Sequence, residues 1–340
     1  MFHAACYDAC HINAGFFHAP PREVSMMHPS SAVVPSLLRS AVVAVLGLVA
    51  ATSPWPQALA AQPAAAPAAA PPAASAAPIA WPDGTTDRWH GFVRHRFRFQ
   101  DRDAWVVVPE RPLPGRPWTW CMMFPDAFTE RCAVPALLAA GFHHAFLDVG
   151  NSFGSPAAVR ALAAFHDELV RRGLAPRAAL VGISRGGLYA HRLAAEHPGK
   201  VAAIYDDAAV CDFKSWPGGK GKGKGSPRDW QACIAAYGFA DEAEALAWRG
   251  NPLDALEPLA RAGIALVHVV GDDDDVVPPA ENALLMAERY ARLGGTIEVI
   301  HKPGCGHHPH GLDDPAPVVA FLVRHASGAA AGPRPGAKLP

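Results

Sequence analysis

The segment Gly182-Ile-Ser-Arg-Gly186 lies between two runs of different character, and this arrangement constrains the fold more than any other feature. Residues 178–181 are apolar like a buried strand, and residues 187–196 have the apolar spacing of a helix. A strand, a G-x-S-x-G turn and a helix predict a nucleophile elbow, in which a serine occupies a sharp, strained turn. The glycines suit this turn because side chains there would collide with the neighbouring strand and helix. Ser184 is the predicted nucleophile.

Two later loops, each after a predicted strand, carry the partners that such a serine needs. The apolar run 263–270 leads into four consecutive aspartates, and the run 296–301 leads into a loop with three histidines. A serine is a weak nucleophile at neutral pH, so it needs a base within hydrogen-bond reach, and histidine has a suitable pKa. Nucleophile, acid and histidine in this chain order are typical of α/β-hydrolases and differ from other serine-hydrolase folds.

Within these loops the spacing favours Asp274 as the acid and His307 as the base. Asp274 stands in the pattern G-x-x-D-x-x-V-P, and His307 follows the glycine-rich segment 303–306. His308 is the alternative base. The strand end with Asp206, Asp207 and Asp212 is a less favoured location for the acid. A metal cluster of histidines 307, 308 and 310 with aspartates 313 and 314 is also less favoured, because no companion ligand motif is present. We therefore predict neither a metal nor a cofactor.

The developing oxyanion needs two hydrogen-bond donors. The backbone N–H of Arg185 is one predicted donor, since Arg185 follows the nucleophile. The second is expected in the loop after the third predicted strand, at residues 125–127. Pro125 has no N–H, so Asp126 is the better candidate.

Strand and helix patterns alternate through the rest of the chain. Strands are predicted at residues 91–99, 104–109, 118–124, 143–149 and 201–205, with 91–99 as a half-exposed edge strand, and helices at 134–140 and 157–172. This alternation predicts an α/β-hydrolase fold, with a mostly parallel central sheet and helices on both faces. Ligands are expected beyond the carboxyl ends of the strands, where the three loops lie.

Residues 211–251 interrupt this alternation and are predicted to form a small cap insertion. Trp216 is expected to pack there near the substrate. Three lysines, Lys220, Lys222 and Lys224, alternate with glycine, so we expect them to swing freely. If they overhang the pocket, they would attract anionic substrates, although a solvated surface loop is an equally good interpretation.

The two ends of the chain have a different composition. Residues 1–60 are interpreted as an extension followed by a signal peptide, because a basic flank, a short apolar run and small residues follow one another. The apolar run is too short to span a bilayer comfortably. Residues 61–80 are almost only alanine and proline and are predicted to be a linker, like the tail 328–340. The hydrolase domain is then residues 81–327 of an exported protein.

Charge and cysteine content limit the partners. The net charge of −1 gives no reason to expect nucleic acid. Five cysteines follow the predicted cleavage site, and an exported protein meets oxidising conditions. Cys211 and Cys233 are the favoured disulfide pair because they flank the same insertion, although a sequence does not determine connectivity.

Three motifs resemble a group of bacterial exported α/β-hydrolases. They are Gly-x-Ser-Arg-Gly-Gly-Leu-Tyr, Cys-Asp-Phe-Lys-Ser-Trp-Pro-Gly-Gly-Lys-Gly-Lys-Gly and Pro-Gly-x-Gly-His-His-Pro-His, and the resemblance covers about residues 89–325. The group is described as hydrolases or esterases, some of them similar to prolyl oligopeptidases. The resemblance implies the fold and the triad. This chain departs from it at Asp126, where the group more often has glycine, and a side chain there restricts substrate approach.

These observations lead to three functional hypotheses. The favoured one is a cofactor-free serine hydrolase that cleaves carboxylic esters through an acyl-serine intermediate. Its substrate would be a small molecule or an esterified carbohydrate, an expectation that rests on export and on the resemblance. A serine peptidase of prolyl-oligopeptidase type is the first alternative, and a non-catalytic binding protein with the same fold is the second.

Overall fold

The computed structural model describes residues 78–327 of the chain. The predicted signal peptide, the tail and nearly all of the linker lie outside this range. Within it, the strands are β1 (Gly84–Trp89), β2 (Phe92–Phe99), β3 (Arg102–Val108), β4 (Trp118–Cys121), β5 (His143–Leu147), β6 (Ala178–Ile183), β7 (Val201–Asp207), β8 (Ala265–Gly271) and β9 (Ile297–Lys302).

Eight α-helices in residues 78–327 cover the sheet or belong to the insertion. They are α1 (Val134–Ala139), α2 (Pro156–Arg171), α3 (Gly186–Glu196), α4 (Pro227–Tyr237), α5 (Glu242–Ala247), α6 (Glu257–Arg261), α7 (Ala283–Arg292) and α8 (Ala316–Ala326). Short 3₁₀ turns occur at Pro198–Lys200, Pro252–Asp254 and Pro279–Glu281. No helix in the described part of the chain is long and apolar enough to cross a membrane.

The strands form one sheet in the order β1-β2-β3-β5-β4-β6-β7-β8-β9. The first three strands and the β3–β5 pair are antiparallel, and every pair from β5–β4 to β8–β9 is parallel. Strand β6 is buried along its whole length, as expected of a strand covered on both faces. Leu180 packs in one apolar cluster with residues of α2 and α3, whereas Val181 packs in a second cluster with α8. The predicted α/β-hydrolase fold is confirmed.

The predicted edge strand is not at the edge. Strand β1 lies outside β2 and pairs with it through a two-residue turn at His90 and Gly91, whose φ angles are 50° and 83°. Positive φ at both positions is the geometry of a type I′ hairpin turn. Strand β1 was missed because its sequence Gly-Thr-Thr-Asp-Arg-Trp is mostly polar and exposed, so pairing with β2 rather than its own apolar pattern stabilises it.

The predicted disulfide is not formed. Cys211 and Cys233 are both buried free thiols, one directly after β7 and the other on α4. Burial raises the pKa of the Cys233 thiol to about 12, so this group is protonated at neutral pH. The flanking positions suggested a bridge, but both thiols are free members of one buried apolar cluster.

Buried histidines make the stability of this fold sensitive to acid. Burial lowers the pKa of His143 to about 4 and that of His144 to about 3, both on β5, and that of His268 on β8 to about 4. An unfolded imidazole has a pKa of about 6.5. Between that value and the folded value, the unfolded chain binds protons that the folded chain does not. Stability is therefore present above about pH 6.5 and is lost as the pH falls toward about 4.

We expect the free energy of unfolding to fall by about 2 kcal/mol per buried histidine between neutral pH and about pH 5. Urea denaturation at a series of pH values measures this loss. His144→Phe is a matched variant that removes one of these histidines. Thr119 Oγ1 lies 2.7 Å from His144 Nδ1, and after the change it can still donate to the His143 carbonyl oxygen at 3.3 Å. Because His144 is one of three such histidines, this variant should lose about one third less unfolding free energy over the same pH range. A stability that stays constant over this range would contradict the prediction.

Candidate active site

Ser184 occupies the turn between β6 and α3. Its φ angle is 50°, a left-handed conformation that is uncommon for a residue with a side chain. Three backbone hydrogen bonds hold it there: its N–H donates to the Asp207 carbonyl at 2.8 Å, and its carbonyl accepts from Gly187 at 3.1 Å and from Val210 at 2.9 Å. The conformation is thus imposed from both sides, by β7 with its following loop and by the start of α3.

Two of the three elbow glycines are required by close packing. A Cβ on Gly182 would lie 2.6 Å from Asp206 Oδ1, and one on Gly187 would lie 2.8 Å from Ala209 Cβ. Gly186 differs from the sequence interpretation, because a Cβ there would lie at an ordinary 3.5 Å from Met123 Cβ. The expected collisions therefore apply to Gly182, against Asp206 on β7, and to Gly187, against the loop that follows β7.

The structure brings Ser184, His307 and Asp274 into one line of hydrogen bonds. Ser184 Oγ lies 3.0 Å from His307 Nε2, and His307 Nδ1 lies 2.7 Å from Asp274 Oδ2. The other carboxylate oxygen of Asp274 accepts the backbone N–H groups of Val276 at 2.9 Å and Val277 at 2.8 Å. Because Asp274 is acceptor-only when ionised, it selects the tautomer of His307 with the proton on Nδ1. Nε2 then faces the serine as an acceptor.

Tertiary contacts separate the four consecutive aspartates. Asp272 Oδ1 lies 2.6 Å from His301 Nδ1, Asp275 Oδ2 accepts Lys224 Nζ at 2.5 Å, and Asp273 is exposed. Only Asp274 is buried, with 5% of its surface exposed. Two of the less favoured candidates for the catalytic acid also have other hydrogen-bond partners. Asp206 pairs with His191, and Asp212 caps the backbone N–H of Lys214.

The histidine loop contains a second histidine–aspartate pair that the sequence did not reveal. His310 Nδ1 lies 2.7 Å from Asp207 Oδ1, and the second oxygen of Asp207 accepts from Gly311 N–H and Tyr205 Oη. One feature of the sequence indicated this pair: Asp207 lies at a predicted strand end, where it was a less favoured candidate for the catalytic acid. His308 is the most exposed of the three histidines. Partial burial lowers its pKa to about 4, so it is uncharged at neutral pH.

The two predicted oxyanion donors lie in different settings. Arg185 is the N-cap residue of α3, so its N–H has no intrahelical acceptor. Asp126 is exposed, and its carboxylate accepts the Trp89 indole N–H at 2.9 Å. A Cβ on Gly186 would lie 3.8 Å from the backbone nitrogen of Met123, so the chain after β4 approaches the start of α3 at Met123. Met123 is thus a second candidate donor beside Asp126.

The insertion contributes aromatic rings near the nucleophile. Phe213 is fully buried in an aromatic cluster with rings of α4 and the segment after it, including Trp230 and Trp248. Trp216 is partly buried, and its ring centre lies 6.0 Å from the guanidinium carbon of Arg185. The structure therefore brings Trp216 beside the residue that follows Ser184.

The three lysines are arranged differently from the sequence expectation. Lys220 pairs with Glu242, Lys224 pairs with Asp275, and the backbone N–H of Lys222 donates to Glu281 at 2.8 Å. Glycines allow this close packing, since a Cβ on Gly221 would overlap the Glu281 carboxylate. Lys220 also lines a cavity of about 260 Å³ whose lining does not include Ser184 or His307. Lys220 and Lys224 therefore do not swing freely.

Two groups in the described residues have the side-chain spacing of a metal site. Ring nitrogens of His307, His308 and His310 lie within 4.8 Å of one another, as do ligand atoms of His191, Asp206 and His268. In the first group, both nitrogens of His307 already face Ser184 and Asp274. In the second, His191 Nε2 and Asp206 Oδ2 are 2.7 Å apart, too close for two ligands of a tetrahedral zinc ion with bonds of about 2.0–2.2 Å.

Comparison with known proteins supports the fold. Neither a family model nor a curated protein matches this chain. Among solved structures, a puromycin-hydrolyzing peptidase of Mycobacterium tuberculosis is similar with a TM-score of 0.53 and 18% identity over 68% of this chain. An acylaminoacyl peptidase of Pyrococcus horikoshii has a TM-score of 0.52 and 12% identity over 70% of this chain. Dipeptidyl peptidase 4 of Porphyromonas gingivalis has a TM-score of 0.50 and 15% identity over 68%.

The fold and the site together define an α/β-hydrolase-fold protein with a serine–histidine–aspartate arrangement at its nucleophile elbow. The match covers 38%, 42% and 35% of these three solved chains, respectively, so this chain spans well under half of their length.

Proposed function

We propose that this protein is a serine hydrolase that cleaves acyl bonds through an acyl-serine intermediate. The observation that carries the proposal is the continuous hydrogen-bond line from Asp274 through His307 to Ser184, placed at a strained elbow. Such an arrangement is expected for nucleophilic catalysis and has no evident role in stabilising the core.

The chemistry follows from the proton positions. His307 Nε2 takes the proton from Ser184 Oγ as the oxygen attacks the substrate carbonyl, and later returns it to the leaving group. Asp274 remains ionised and stabilises the imidazolium that forms. The backbone N–H of Arg185 donates to the oxyanion, together with that of Met123 or Asp126. Water then attacks the acyl-serine with His307 again as the base.

The proposed hydrolase could cleave either of two classes of bond, peptide or amide bonds and carboxylic esters. The sequence favoured carboxylic esters, including esterified carbohydrate, whereas the three solved structures compared above are named as peptidases. These names favour peptide or amide bonds, which we propose as the first substrate class, with esters as the second. An amine is a poorer leaving group than an activated alkoxide, so an enzyme that cleaves amides also cleaves activated esters. Activated esters therefore report activity under either alternative.

The test combines covalent labelling with two substrate panels. A fluorophosphonate probe should label Ser184 of the purified protein, and absence of labelling would favour the binding-protein alternative. Turnover of short peptide amides is then compared with that of acetylated carbohydrates and simple alkyl esters. Higher kcat/KM on peptides supports the peptidase assignment, and activity on unactivated esters alone would reverse it.

A further inference from the structure

The side chain of Arg185 is held in an aromatic cage next to the nucleophile. Its guanidinium carbon lies 5.0 Å from the ring centre of Phe124, 5.8 Å from that of Phe153 and 6.0 Å from that of Trp216. Only 15% of the side chain is exposed. These rings come from three separate parts of the chain: the loop after β4, the loop after β5 and the insertion.

The cage is built rather than incidental. The hydroxyl of Tyr189 on α3 accepts the backbone N–H groups of Ser152 and Phe153, both at 2.8 Å. The hydroxyl of Tyr237 on α4 donates to the Phe153 carbonyl at 2.9 Å. The buried Tyr189 and the partly buried Tyr237 thus fix the loop that carries both a ring of the cage and Asn151.

This guanidinium keeps one buried donor without an acceptor among the described residues. Its one hydrogen bond within residues 78–327 runs from Nη1 to the neutral amide oxygen of Asn151, at 2.7 Å. Nε is buried without any partner in this range. A guanidinium has five N–H donors, and a buried donor that is left without an acceptor destabilises the folded state. The described residues therefore supply no acceptor for the Nε–H of Arg185.

The nearest carboxylate does not satisfy the guanidinium. Asp229 Oδ1 lies 3.7 Å from Nη1, beyond hydrogen-bond distance. The other oxygen of Asp229 accepts the Ser226 hydroxyl at 2.6 Å, an interaction at the N-terminus of α4. Asp229 therefore lowers the electrostatic cost of burying Arg185 without completing its hydrogen bonds.

We propose that the Arg185 side chain binds a carboxylate of the substrate. Arg185 directly follows Ser184, and its guanidinium lies against Phe124 of the loop that also carries the candidate oxyanion donors, so the carboxylate that it binds belongs to the acyl compound attacked at Ser184. The planar fork of arginine matches a carboxylate, and low exposure strengthens such a charge-assisted pair. The substrate class is thus an acyl compound with a carboxylate close to the scissile bond. This inference rests on the proposed serine-hydrolase function.

This assignment differs from the sequence expectation about the insertion. The sequence placed a preference for anions on Lys220, Lys222 and Lys224, but two of these lysines already pair with carboxylates. A lysine loop acts at long range and is weakened by salt. A partly buried guanidinium acts by direct hydrogen bonds, so its preference should persist at high salt.

The experiment compares substrates that differ only in a free or methylated carboxylate. On the acyl side these are para-nitrophenyl hydrogen adipate and its methyl ester; on the leaving-group side they are para-acetoxybenzoate and its methyl ester. In the wild type, kcat/KM should favour the free carboxylate in at least one pair. Arg185→Gln should lower that ratio about ten-fold or more, as expected for the loss of a charge-assisted hydrogen bond. Arg185→Lys, which keeps the charge but not the fork, should lower it less.

Two control variants separate this effect from general charge. Arg228→Gln removes a neighbouring arginine whose side chain is 82% exposed, and it should leave the ratio unchanged. A triple glutamine variant at lysines 220, 222 and 224 should also keep the preference. A ratio that falls in the triple variant but not in Arg185→Gln would overturn the inference. A purely structural role of Arg185 would lower turnover of both members of a pair equally, which would also overturn it.

Labelling of Ser184 and the substrate pairs together distinguish an error in the carboxylate assignment from an error in the serine-hydrolase assignment. If fluorophosphonate does not label Ser184, the hydrolase proposal itself fails. If Ser184 is labelled but the wild type hydrolyses both members of each pair equally, only the carboxylate inference is overturned.

Discussion

Replacing Ser184 with alanine is expected to lower kcat by about 10⁴-fold or more on every acyl substrate, because no other group takes the place of the attacking oxygen. Steady-state kinetics on an activated ester measure this loss, and the same variant should no longer react with fluorophosphonate. Near-normal turnover in Ser184→Ala would contradict the hydrolase proposal.

The fold should survive this change, and a second variant tests whether it does. Ser184 has a φ angle of 50°, a conformation that costs a non-glycine residue about 1–3 kcal/mol. Alanine keeps this cost and glycine removes it. Ser184→Gly should therefore be inactive but more stable than Ser184→Ala by about 1 kcal/mol in urea denaturation. Equal or lower stability of the glycine variant would contradict the interpretation of the elbow as strained.

Removing the imidazole of His307 is expected to have the second largest effect. His307→Ala should lower kcat by about 10⁴-fold or more, since Ser184 loses its only base within hydrogen-bond distance among the described residues. His308→Ala is the matched control. His308 is adjacent in sequence and more exposed, and it makes no hydrogen bond to Ser184 or Asp274. Its activity should stay within about ten-fold of the wild type.

The reverse result, with His308→Ala inactive and His307→Ala active, would show that the assignment of the base is wrong while leaving the nucleophile intact.

Asp274→Asn should lower kcat by less than Ser184→Ala or His307→Ala does. Its role is to orient His307 and stabilise the imidazolium, not to exchange protons with the substrate. A loss of kcat in Asp274→Asn as large as that in His307→Ala would instead point to a structural requirement for the buried carboxylate.

Local patterns predicted most of the strands that carry the site. Strand β6 and helix α3 were predicted from apolar periodicity on either side of Ser184, and their observed bounds differ by one or two residues. The alternation of strands and helices predicted the parallel sheet. These features depend on residues that are neighbours in sequence, so one sequence is enough to find them. Strand β1 was missed for the same reason, because its stability comes from pairing and not from its own pattern.

Choices between adjacent residues depended on packing. Four aspartates and three histidines offered many combinations, and their chemistry in sequence is nearly identical. Asp274 and His307 are 33 residues apart, and Ser184 and His307 are 123 apart, so only the packing of β6, β7, β8 and β9 into one sheet brings them together. Spacing motifs favoured Asp274 and His307, but the burial that distinguishes Asp274 from its neighbours is a property of the folded loop.

By itself, the sequence determined the nucleophile elbow, the order of the three loops and the α/β architecture, because each follows from short-range periodicity and turn chemistry. Tertiary structure alone decided that Asp274 is buried while the neighbouring aspartates are exposed, which lysines are paired and that Cys211 and Cys233 remain free thiols. It also decided that Arg185 lies in an aromatic cage with one buried, unsatisfied donor. The physical reason is that each of these contacts joins segments far apart in the chain, whose distance is set by packing of the whole sheet.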